Sequence, residues 1–241
     1  MTDDAHVNRP DAPNVDPEII ALVETMERRL TTPRAAAIAG IVFALLLGTS
    51  YVLLRLSVPA DPAAGEGWIE SGRTKVRIAL TLVPFAGIAF LWFIGVLRDR
   101  LGELEDRFFA TVFFGSGVLF LAMTFAAAAI GSGLLASYTH NPEGVIESGV
   151  FDFGRQTMFR VANVYAIKMA SVFMMSLATV WTRTRTMPRP LAVATYASAI
   201  VLMLVTSLSL WMALVFPVWV LVISVYILTR NVRRTVLSPA T

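Results

Sequence analysis

The sequence predicts an all-α fold, a polytopic bundle of transmembrane helices with six spans and both termini in the cytoplasm. Three observations carry this. Of the 241 residues, 56% are hydrophobic and 15% charged, whereas soluble domains carry roughly 25% charged residues. The apolar residues come in long blocks, and a helix needs about 20 of them to cross a bilayer. Arginines gather at alternate block ends, as cytoplasmic loops require.

Residues 1–15, rich in Asp, Asn and Pro, have little to bury and predict a disordered cytoplasmic tail. At Asp16 the pattern changes: Asp16 can cap a helix with Pro17 at its first position, and Ile19, Leu22, Val23, Met26 and Leu30 recur at helical spacing. The resulting amphipathic helix over 16–31 suits the inner membrane surface, with packing on another subunit as the alternative. Thr32 and Pro33 then cap the first span.

The transmembrane domain is expected over 34–230, with spans at about 35–56, 76–97, 108–135, 158–181, 191–210 and 212–229, followed by a cytoplasmic tail at 231–241. The last two spans have no charge between them, and a break near Ser207, Ser209 and Trp211 is inferred. One helix from 191 to 229 would be nearly twice the length a bilayer needs. With the N-terminus inside, Arg9, Arg28, Arg29, Arg34, Arg98, Arg100, Arg107, Arg183, Arg185, Arg189, Arg230, Arg233 and Arg234 are all cytoplasmic, so an even number of spans satisfies the positive-inside rule. Trp68, Trp92, Trp181 and Trp211 fall near the expected interfaces. The expected location is a bacterial inner (plasma) membrane.

Lipid removes the hydrophobic drive between helices, so small residues must allow close approach. Ala36, Gly40, Ala44 and Gly48 form such a track in the first span. Ser116, Thr124, Ala128, Ser132 and Ala136 form another in the third, and Ala162, Ala166, Ala170 and Ala178 one in the fourth. Packing within the chain and contact with a second copy or another membrane subunit both satisfy these tracks. Pro84 and Pro217 are expected kinks, and the Gly-Ser-Gly triplets at 115–117 and 131–133 packing or bending sites.

Two expected outer loops share a heptapeptide. Glu66-Gly67-Trp68-Ile69-Glu70-Ser71-Gly72 and Glu143-Gly144-Val145-Ile146-Glu147-Ser148-Gly149 differ at one position. Duplicated helical hairpins, a parallel repeat, would account for the match, and so would chance.

Cysteine is absent and the two histidines, His6 and His140, lie outside every span, so no metal site, cofactor site or catalytic residue is expected. The basic residues form no single face, which argues against nucleic acid. No acidic residue lies inside a span, which leaves no carboxylate relay. Basic residues do occur there: Lys168 within the fourth span, and Arg77 and Arg160 near span ends. On a helical wheel Gln156, Arg160, Asn163, Lys168 and Ser171 share one arc, expected to face the bundle or a wet cavity. Either Lys168 snorkels outward as a structural residue, or Lys168, Arg160, Arg77 and Asn163 line an outward-facing basic pocket for an anionic group, gated by Glu70 and Glu147.

Gly95-Val96-Leu97-Arg98-Asp99-Arg100-Leu101-Gly102 resembles the inner-loop motif of major facilitator transporters, which implies a conformational latch at Asp99 and Arg100. Glu103 stands where that motif has a basic residue, and six spans make half such a transporter. The longer stretch from Phe90 to Gly102, with Glu105-Asp106-Arg107-Phe108-Phe109-Ala110-Thr111, resembles multi-span membrane proteins of uncharacterised role common in GC-rich actinobacteria; this implies location and span count. The expected role is non-enzymatic binding of membrane lipid or partner subunits, with transport of an anionic solute or lipid as the alternative.

Overall fold

A computed structural model describes residues 33–58, 67–101, 107–184, 187–205 and 210–236. The expected tail at 1–15 and amphipathic helix at 16–31 lie outside the described residues. Every assigned element is helical: α1 (Pro33–Ser57), α2 (Gly67–Leu101), α3 (Arg107–His140), α4 (Pro142–Glu147), α5 (Val150–Arg160), a π-helical segment (Val161–Ala166), α6 (Ile167–Thr184), α7 (Arg189–Val205), a 3-10 turn (Leu210–Leu214) and α8 (Val215–Val236). Five stretches are long and apolar enough to cross a bilayer: Arg34–Ser57, Gly72–Arg98, Phe108–His140, Val150–Thr184 and Trp211–Thr229. This is the construction of a membrane protein. The helix α7, with 17 residues, is shorter. Among the described residues, α7 ends at Val205 and the 3-10 turn that holds Trp211 leads into α8; Ser207 and Ser209 of the expected break lie outside the described residues.

The exterior is apolar, as lipid contact demands. Trp92, Phe85, Leu204 and Val193 are all more than half exposed, which water would penalise at about 1.5–3 kcal/mol for each such side chain.

Inside, the organising feature is aromatic. Phe43 of α1, Phe90 of α2, Phe120 of α3, Phe173 of α6 and Phe216 of α8 are fully buried and touch one another. Ring centroids lie 4.5 Å apart for Phe43–Phe90, 5.4 Å for Phe90–Phe120 and for Phe90–Phe173, and 4.7 Å for Phe120–Phe216. Most pairs are tilted or edge-to-face, the arrangement the ring quadrupole favours. Trp219 and Trp181 extend the cluster, with centroids 6.2 Å apart. Trp181 is therefore a core residue rather than an interfacial one, because the Trp219 ring packs beside it and both are buried.

Small residues bring the helices within reach of this cluster. Ala36 and Ala44 are buried, and a Cβ on Gly40 would collide with Ser224 of α8 and Phe93 of α2. At these three positions the first track works within the chain. At Gly48 a Cβ would meet nothing, so the track opens there. Ser50 Oγ donates to the Ala79 carbonyl at 2.8 Å, a buried bond that ties α1 to α2. Gly117 sits against Ile94 and Phe173, and Gly131 against Met158 and Leu80, so each Gly-Ser-Gly triplet supplies one packing glycine. Pro84 lies inside α2. Pro217 falls in the first turn of α8, just after the 3-10 turn Leu210–Leu214 passes into that helix.

The two heptapeptide copies adopt different structures. From Gly67 onward the first is part of α2, and Gly72 packs on Ser57. The second contains the separate short helix α4, whose Asn141 cap accepts from Gly144 N at 3.2 Å and which ends before Gly149 at φ 70°. The Gly95–Leu101 stretch continues α2 rather than forming a loop. Beside it, the Arg98 guanidinium lies over Phe114 at 4.9 Å, and Arg183 lies over Phe109 at 4.5 Å.

Candidate functional site

The helices α1 and α3 end, and α2 and α5 begin, at one end of the bundle, here termed the upper pole. Below it the aromatic cluster fills the centre. Above the cluster the helices part, and two adjoining chambers open.

The lower chamber is an open cleft whose space between atoms, counted out into its solvent-facing mouth, is about 780 Å³. Its walls are mainly Leu, Val, Ala, Met and Phe side chains, among which four polar groups stand out: Tyr51 and Arg55 of α1, Thr124 of α3 and Asn163 of the π segment. Tyr51 and Arg55 are four residues apart on one helix face. The Tyr51 hydroxyl is buried with no hydrogen-bond partner in the protein, and nearby Thr124 Oγ1 donates to the Phe120 carbonyl at 2.8 Å. The Arg55 guanidinium lies 6.0 Å from the centre of the Trp211 ring. The lining ends at Val83, Thr124 and Leu214; one turn below, Phe120 and Phe216 begin the aromatic floor.

The upper chamber, also open on one side and about 530 Å³ when counted out into its mouth in the same way, shares Leu54, Val58, Leu80 and Met158 with the lower one. Those four apolar side chains are the partition between them. Two guanidinium groups line it, Arg73 of α2 and Arg155 of α5, together with Tyr138 of α3. Arg155 is buried. The Arg73 Nε is buried with no hydrogen-bond partner. A buried donor such as Arg73 Nε carries a desolvation cost that an acceptor removes.

The residues expected to form a basic pocket are not brought together. Lys168, Arg160 and Arg77 are exposed. Lys168 shares its outward side with Tyr165, and lines neither chamber. Glu147 is exposed on α4, and Glu70 lies in α2 with its side chain outside the described residues. Asn163 alone of this set lines a chamber, and its Nδ2 donates to the Phe159 carbonyl at 3.1 Å. For Lys168 the cause is the π segment at 161–166. A π turn takes one more residue than an α turn, which offsets everything after it by about 100° relative to an uninterrupted wheel. Ser171 accordingly turns inward, where it is fully buried, while Lys168 turns outward.

Sequence reading passed over Arg55, Arg73 and Arg155 because all three stand near span ends, where basic residues are ordinary topology signals. Tyr51 and Arg55 at i and i+4 were the available hint. Among the described residues no group of three metal-ligating side chains is present. No protein-family model, curated protein or solved structure matches the chain.

Proposed function

We propose that this chain is a non-enzymatic, multi-span protein of a bacterial inner membrane that holds an anionic amphiphile of the membrane-lipid class in its two-chambered cavity. In this reading α7 completes six spans, since 17 residues reach about 26 Å and fall at the short end of spanning lengths. The arginine pattern then places both termini in the cytoplasm and the upper pole outside.

The single observation that carries the reading is the form of the cavity: apolar walls, arginines near the upper pole, and an aromatic floor. Along α3 the lining runs from Thr124 to Tyr138, fourteen residues or about 21 Å. A lipid tail matches the walls and an anionic head matches Arg55, Arg73 and Arg155. Ligand sites of this kind pair a mainly apolar surface with a few placed polar groups.

Transport of an anionic solute or lipid is the second reading. The buried phenylalanines below the chambers favour holding over passage, and uptake into proteoliposomes separates the two.

The test is native mass spectrometry of the protein released from nanodiscs. Ala128→Phe fills the lower chamber and should reduce retained lipid about tenfold, equivalent to ~1.4 kcal/mol. Retention equal to that of the unmodified protein overturns the reading.

A further inference from the structure

We infer that the upper chamber is a phosphate subsite, in which Arg73 and Arg155 take the phosphate of the bound amphiphile while its tail passes the Leu54–Met158 partition into the lower chamber. This rests on the lipid-binding reading above and adds the chemical class of the head and the direction in which the ligand lies.

Three observations support it. Arg73 Nε is a buried donor with no partner in the protein, and a buried unsatisfied donor carries a penalty that an acceptor removes. Arg155, itself buried, lines the same chamber from α5. Guanidinium groups offer fixed pairs of N–H donors that match the oxygens of a phosphate, and two of them supply the charge that a phosphate monoester or diester requires. The other residues lining this chamber are mainly apolar, with Tyr138 the exception. Such walls exclude water and strengthen the charge-assisted bonds.

The direction follows from placement. Arg73 stands at the start of the apolar stretch of α2, and Val83, ten residues further, lines the lower chamber. A head at Arg73 thus sits near the upper pole. Its tail runs toward Thr124, where the cavity ends on the aromatic floor. Gly131 packs directly on the partition: a Cβ there would meet Met158 Sδ at 2.7 Å and Leu80 Cδ2 at 3.2 Å.

Binding is measured by native mass spectrometry for an anionic phospholipid, a phosphate-free diacylglycerol with the same tails, and inorganic phosphate. The unmodified protein should prefer the phospholipid, and Arg73→Gln should reduce that preference about tenfold while retention of the diacylglycerol is kept. Arg73→Lys holds the charge but loses the fork, and should fall between them; it also serves if Arg73→Gln fails to fold. Undiminished preference in both variants overturns the subsite while the lipid-binding reading stands. Phosphate binding that depends on Arg73, with no lipid retained by the unmodified protein, overturns the lipid as the phosphate's source and the proposed function with it. Retention of none of the three ligands overturns both.

Discussion

The indole Nε1 of Trp219 in α8 donates a 3.0 Å hydrogen bond to Thr195 Oγ1 in α7. The same threonine hydroxyl donates to the Leu191 carbonyl at 2.8 Å, so its proton and a lone pair are both used. Thr179 and Tyr196 make the matching link between α6 and α7 at 2.7 Å. The shortest of the long helices is thereby held from both sides by polar bonds. Thr195→Val removes the acceptor but keeps the shape, and leaves the indole N–H unsatisfied. It should destabilise the bundle by about 1 kcal/mol, within the range measured for hydrogen bonds between membrane helices. Reversible unfolding in mixed micelles measures this, and an unchanged midpoint would show that the bond carries no net stability.

Phe90 touches Phe43, Phe93, Phe120, Phe173 and Phe216. Truncating it removes packing shared by all the helices that supply the cluster. Phe90→Ala should cost about 3–5 kcal/mol, the range for large aromatic truncations in packed cores. Phe85→Ala, on the exposed side of the same helix, should cost less than about 1 kcal/mol. Thermal melts of the two variants in one detergent give the comparison; equal losses would contradict the core assignment.

Glycines of one track should respond oppositely. Gly40→Val places side-chain atoms against Ser224 and Phe93 and should lower the yield of monodisperse protein sharply, since overpacking costs about 1–3 kcal/mol or more. Gly48→Ala meets open space and should leave yield unchanged or raise it, because alanine favours the helix by up to about 1 kcal/mol. Size-exclusion profiles distinguish these outcomes.

Lys168 and Arg55 offer a direct contrast. Lys168 is exposed on the outside of the bundle, so Lys168→Met should leave anionic-lipid retention within about twofold and, with a charge removed from the apolar exterior, should not destabilise the fold. Arg55 lines the lower chamber, and Arg55→Gln should reduce that retention by about fivefold, near 1 kcal/mol. A loss confined to Lys168→Met would return the ligand to the basic pocket expected from the sequence.

Helix existence and approximate span limits were legible because they depend on local properties. A block such as Ala35 to Leu56 must be helical in lipid whatever its neighbours do, since no other conformation satisfies its backbone there. The small-residue track was legible at Ala36, Gly40 and Ala44 for a similar reason: spacing along one helix is a property of that helix. The fourth span shows where this fails. Its wheel assumes 3.6 residues per turn, and the π segment at 161–166 breaks that assumption, so Lys168, which follows it, faces outward while Ser171 is buried; of Arg155 and Arg160, which precede it, Arg155 lines a chamber and Arg160 is exposed. The identical heptapeptides show the same limit, since Asn141, Pro142 and the left-handed Gly149 give the second copy its own helix.

By itself the sequence determined that this chain is a helical membrane protein with an apolar exterior, because hydropathy and helix length are summed over neighbours in the chain. Tertiary structure alone decided that phenylalanines 43, 90, 120, 173 and 216 converge on one centre and that Arg55, Arg73 and Arg155 surround a cavity above it. Those are contacts among residues tens of positions apart. They arise from how whole helices pack, and no local pattern encodes which arginine at a span end faces lipid and which faces its neighbours.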